Sequence, residues 1–131
     1  MSVLDSFEMY KKKDKGNIFI SVTQYGITFS KTSVECLDYA EYVHIFFDKN
    51  NIKMAITPCE KDDEARIFVK NKKSPRAGFV RWNDKNLLKY VTELANLKFD
   101  EKGIRIKGEY IKNENVLVYD LKNYKAIKGR K

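Results

Sequence analysis

Strand, turn, strand, short helix, strand, tight turn, strand: this order of elements is legible twice in the chain, over 17–58 and again over 65–121. It restricts the fold more than any single motif. In the first copy, Ile18, Ile20 and Val22 of "NIFISV" alternate with Phe19 and Ser21, which predicts a strand over 17–22 with one buried face. "TQYG" offers a turn, and "ITFS" (27–30) a second strand. Ser30 is placed to N-cap a helix over 31–39, because its hydroxyl can accept an orphan backbone N–H. "YVHIFFD" (42–48) and "IKMAITP" (52–58) then read as a hairpin around "KNN", since Asn tolerates the positive φ of a tight turn.

The second copy runs "RIFVKN" (66–71), a basic turn "KKSPRAG", and "FVRW" (79–82) as a second predicted hairpin. Asn83 or Asp84 caps a helix over 84–97, with Leu87, Val91, Leu94 and Ala95 in one stripe. "GIRIKGEYI" (103–111), the turn "KNEN" and "VLVYDL" (116–121) complete it. Phe29 and Trp82 occupy corresponding positions, each just before the helix. The polar, acidic "CEKDDE" (59–64) is the linker. Outside the copies, Val3, Phe7 and Tyr10 have helical spacing, so 1–16 is expected to be a short helix and basic arm. The acid-free tail 122–131 is expected to be mobile. The expected fold is therefore α+β: two tandem ββαββ halves, 17–58 and 65–121, forming one pseudo-symmetric domain. Each half covers the other's apolar strand faces, so strands 17–30 should contact the second half extensively.

Charge is unevenly divided. Residues 1–60 hold 7 Lys and Arg against 8 acids, whereas 61–131 hold 19 against 10, so the whole excess of the net +8 lies in the second half. A basic half points to a polyanionic partner, nucleic acid before membrane, because no basic amphipathic helix stands out and no run approaches the length of a membrane span. A Lys-rich codon bias is the competing explanation, with 21 Lys against 5 Arg. The cations concentrate on the second hairpin's turn, at Lys70, Lys72, Lys73 and Arg76, with Arg81 on the following strand and Lys11, Lys12, Lys13 and Lys15 on the arm. Such a hairpin tip can straddle a phosphate backbone, and Arg can fork onto phosphate.

Little points to catalysis, and the chain is expected not to be an enzyme. With His44 the only histidine and no Gly-x-Ser-x-Gly motif, no Ser-His-Asp set can be named, and with no Cys-x-x-Cys a zinc site is not expected. Cys36 or Cys59 with His44 forms a nucleophile pair only on paper, and Asp100–Glu101–Lys102 lacks a partner acid. No Gly-rich phosphate loop is present, and no cofactor or metal is expected. The two cysteines and the N-terminal charge order fit a cytoplasmic chain of a bacterium or phage.

A hairpin leading directly into a short helix, followed by another hairpin, resembles the swapped-hairpin DNA-binding unit of the AbrB family, most clearly over 17–57. Two copies in one chain look like its tandem, MraZ-type arrangement. The family's Asp-x-x-Gly-Arg loop is absent: here the loops are Thr23–Gln24–Tyr25–Gly26 and Lys72–Lys73–Ser74–Pro75–Arg76–Ala77–Gly78. The resemblance implies a small transcriptional regulator that binds duplex DNA as a monomeric pseudo-dimer or a homodimer. The alternative is an inhibitor from a phage or mobile element that blocks a host protein through an aromatic patch such as Tyr39, Tyr42 and Phe46.

Overall fold

The computed structural model describes residues 18–98 and 102–127. The expected N-terminal helix, the lysines Lys11, Lys12, Lys13 and Lys15, and the acids Asp100 and Glu101 lie outside the described residues.

The chain forms β1 (Phe19–Thr23), β2 (Gly26–Phe29), α1 (Lys31–Cys36), β3 (Tyr42–Asp48), β4 (Lys53–Pro58), β5 (Arg66–Ile67), β6 (Val80–Trp82), α2 (Lys85–Ala95), β7 (Ile104–Ile111) and β8 (Val116–Ala126). All eight strands join one antiparallel sheet in the order β5-β3-β4-β8-β7-β1-β2-β6. The fold is α+β and mostly sheet. The sheet curls into a half-barrel whose two edge strands approach each other. Trp82 on β6 donates its indole N–H to the Ile67 carbonyl on β5 at 3.0 Å, and Arg66 pairs with Asp84. The first hairpin is held inside the sheet by the second half, with β1 against β7 and β2 against β6.

Period-two alternation explains the inward face. Ile20 and Val22, Ile27 and Phe29, Val43, Met54 and Ile56, Ile104 and Ile106, and Leu117, Tyr119 and Leu121 are buried together. Phe29 and Trp82 meet edge to face with centroids 4.7 Å apart, and Phe68 joins them at 5.0 Å from Phe29. The helices add Val34 and Leu37, and Leu87 and Val91, to this core. Gly26 (φ 147) is required where it stands, because a Cβ there would lie 2.4 Å from the Trp82 carbonyl oxygen.

Ser30 does cap α1: its hydroxyl accepts from the Ser33 N–H at 3.2 Å and from the Phe19 N–H at 3.1 Å. Ser33 in turn accepts from the buried Tyr119 hydroxyl at 2.8 Å, so strand β8 is bolted to the first turn of the helix. Burial pushes the Tyr119 phenol far above its ordinary range, which keeps it a hydrogen-bond donor.

Four expectations need correction. The hairpin of 66–71 with 79–82 does not form. Phe68 and Val69 are core residues whose N–H groups donate to Glu41 and Ala40, so this stretch follows the start of β3 and only Arg66–Ile67 is strand. The helix expected over 31–39 stops at Cys36, because Asp38 and Tyr39 both take left-handed conformations (φ 52 and 55) that end it. The tail expected to be mobile from 122 is strand as far as Ala126: Tyr124 pairs with Ile106 and Lys125 with Arg105. The helix over 84–97 is shorter than expected, Lys85–Ala95, with Asp84 as its cap.

Candidate nucleic-acid interface

Residues 70–79 form a loop joining β5 to β6, and it carries the predicted cations. Lys70, Lys72, Lys73 and Arg76 are all exposed. The Lys73 N–H donates to the Asn71 side chain at 3.0 Å and the Arg76 N–H to the Ser74 hydroxyl at 3.1 Å, so local side-chain turns shape the loop. Arg76 lays its guanidinium over the half-exposed Phe79 ring, 5.2 Å from the centroid. Lys72 lies 3.9 Å from the exposed Asp38 carboxylate, a pairing of little strength at such exposure. Gly78 lets the loop settle on the stem of Lys31, whose Cγ would be 3.2 Å from any Cβ placed there. Lys31, the first residue of α1, thus adds a cation to the loop.

Arg81 sits elsewhere, on the outward face of β6 between buried Val80 and Trp82. The register places it at the end of a row across the sheet. Arg81 is opposite Thr28, Thr28 opposite Ser21, Ser21 opposite Arg105, and Arg105 opposite Lys125. Directly opposed residues share a face, so three exposed cations and two hydroxyls line one transverse stripe over five strands. At about 4.8 Å per strand step it spans roughly 19 Å. One step along β7, exposed Lys107 stands opposite Phe19, and Arg105 stacks on the Phe19 ring at 4.1 Å. Among the described residues, no carboxylate lies within 4.0 Å of Lys70, Lys73, Arg76, Arg81, Arg105, Lys107 or Lys125.

The stripe was not foreseen. The alternation in "IRIK" marks Arg105 and Lys107 as outward, but nothing local in the sequence sets β7 beside β1, and Lys125 falls in the supposed tail.

The other end of the outer face differs. Tyr42 stands opposite Ile67, and His44 and Phe46 follow on β3. Phe46 is 55% exposed and Ile67 50%. His44 Nε2 lies 2.8 Å from the Asp62 carboxylate, which fixes the "CEKDDE" linker against β3. Tyr39 is not part of this patch; it packs against the core.

His44 engages Asp62 rather than a thiol, and burial, aided by Glu35, pushes the Cys36 thiol above its ordinary range. Among the described residues no group of three or more His, Cys, Asp or Glu is placed to hold a metal, and no helix is long and apolar enough to cross a membrane. No known protein family matches the chain, and no curated protein or solved structure is detectably similar to it.

Proposed function

We infer that the chain is a small DNA-binding protein that acts without catalysis or cofactor, a cytoplasmic regulator of the kind a phage, mobile element or AT-rich bacterium carries. The observation that carries the reading is the set of exposed cations, Lys70, Lys73 and Arg76 on the loop and Arg81, Arg105, Lys107 and Lys125 on the outer face, with no described carboxylate within 4.0 Å. Guanidinium and ammonium groups without a carboxylate partner lose no salt bridge when they engage phosphate. Duplex DNA is the partner expected of the loop, which can lie along one phosphate backbone.

The tandem, swapped-hairpin reading belongs to the same inference. Replacing each strand by the one four places on in the chain leaves the run β5-β3-β4-β8-β7-β1 unchanged when read from its other end, and it maps the β2–β6 pair onto itself. The contact between Phe29 and Trp82, at corresponding positions of the two halves, sits on that relation. It supports a monomeric pseudo-dimer of two ββαββ halves.

The test is fluorescence anisotropy across a salt series. Binding through Lys70, Lys72, Lys73, Arg76 and Arg81 should give a log–log slope of roughly −4 to −5 on duplex DNA, at about −0.9 per phosphate. Alanine at Lys72, Lys73 and Arg76 together should flatten it by roughly 2 to 3. No binding near about 50 mM salt, or an unchanged slope in the variant, defeats the reading. The exposed Phe46 and Ile67 favour the second reading, a module that blocks a host protein; its complex would be stoichiometric and survive salt.

A further inference from the structure

The cationic stripe borders a cleft of about 840 Å³, within the size range of small-ligand sites. Its origin is a bulge. β8 runs from Tyr124 to Tyr119 while β7 runs only from Ile106 to Gly108, so β8 bows away from β7 and carries Asp120 and Asn123 in the bow. The Leu121 N–H donates to the Ile52 carbonyl at 3.1 Å, which holds the bow toward the start of β4. Lys107 lines the cleft and is also the cross-strand partner of Phe19, so the cleft opens beside the Arg105–Phe19 stack. Tyr110 and Val118 contribute ring and methyl walls, and Asn123, Asp120 and Thr32 contribute donors and acceptors. The Tyr110 hydroxyl donates to Asn115 at 2.7 Å, which fixes its ring.

We propose that this cleft receives an unpaired base of a single DNA strand whose phosphates rest on Arg105, Lys107 and Lys125. The proposal rests on the phosphate-binding reading above and adds the form of the polymer at the sheet face. The chemistry fits a base rather than another small group. A nucleobase presents flat apolar faces and an edge of mixed donors and acceptors, which matches ring and methyl walls with the Asn123 amide, the Asp120 and Glu109 carboxylates as acceptors for exocyclic amines, and the Thr32 hydroxyl. The phosphate attached to that base must find a cation a short step away, and Arg105 and Lys107 lie about 7 Å apart along β7. A guanidinium already stacked on Phe19 offers a plane for a neighbouring base. The sheet is convex on this side, so a flexible strand can follow the stripe around the curl where a stiff duplex touches it at fewer points.

The experiment compares a short fluorescein-labelled oligothymidine strand with a fully paired hairpin at one salt concentration, for the full chain and for Asn123→Ala and Val118→Trp. Asn123 is exposed, so its replacement leaves the fold intact even if the larger tryptophan does not; circular dichroism checks both. The proposal expects the wild type to bind the single strand more tightly than the hairpin. Each variant should weaken single-strand binding about tenfold, the effect of losing one stacked base, while hairpin affinity stays unchanged. Equal affinity for the two probes, or single-strand binding that neither folded variant alters, overturns the cleft proposal while leaving phosphate binding standing. Failure to bind either probe overturns both.

Discussion

The two ends of the outer face are built from the same alternation and differ in what stands at the outward positions. On β6, β2, β1 and β7 those positions hold Arg81, Thr28, Ser21, Arg105 and Lys107; on β3 and β5 they hold Tyr42, His44, Phe46 and Ile67. The cationic end makes almost no internal polar contacts with its charges. The aromatic end is tied down by the His44–Asp62 contact and carries the exposed apolar area. In both regions the core is supplied by the inward neighbours, and outward residues other than His44 contribute little to it. Changes at either end should therefore alter partners and leave stability nearly untouched. Changes at the seam joining the ends should do the reverse.

The seam gives the largest expected effect. Trp82 is 7% exposed, packs on Phe29 and Phe68, and its indole N–H reaches Ile67 across the gap between β6 and β5. Trp82→Ala should cost about 4 kcal/mol in urea unfolding, as for other buried aromatic truncations. A loss below about 1 kcal/mol would mean that the two edges are not joined through this side chain.

Asp84 tests the same seam more gently. The Arg66 guanidinium beside it, helped by the Leu87 and Asn86 N–H groups it caps, holds its carboxyl below the ordinary carboxylate range. A depressed folded-state pKa contributes stability above the unfolded value near about 4, and that stability is lost as pH falls through the folded value. Asp84→Asn should therefore destabilise the chain at pH 7 and narrow the gap from wild type at low pH. Thermal melts across pH check this; a gap that widens on acidification contradicts it. Asp84→Ala should also cost about 1 kcal/mol through the lost cap.

The smallest effect is expected at the aromatic end. Phe46→Ser should change stability by no more than about 0.5 kcal/mol and leave DNA affinity unaltered. A drop in DNA affinity would show that the two ends do not act separately.

Much of the architecture was legible because it is local. The alternation of Ile18, Ile20 and Val22, the Ser30 cap and the Leu87–Val91 stripe each lie within a few residues, and each stands in the fold as read. The failures are non-local. "RIFVKN" has strand composition, yet Phe68 and Val69 are drawn into the core beside Phe29 and Trp82, a pull set by residues far away in sequence. The charged tail reads as solvated, but Tyr124 finds a place opposite Ile106 once β8 bows past β7. The candidate site divides in the same way. The loop cations are neighbours in sequence and could be read together, whereas Arg81, Arg105 and Lys125 become neighbours only through strand pairing.

That stripe carries the functional reading, and a salt titration of DNA binding tests it. Wild type and the triple variant Arg81→Ala, Arg105→Ala, Lys125→Ala are compared for DNA binding across a salt series, with melting temperature as the control for folding. On a single DNA strand the expected outcome is equal melting temperatures, weaker binding in the variant, and a log–log salt slope flattened by about 2, three phosphate contacts at roughly 0.7 each. A variant that folds and keeps the wild-type slope would contradict it.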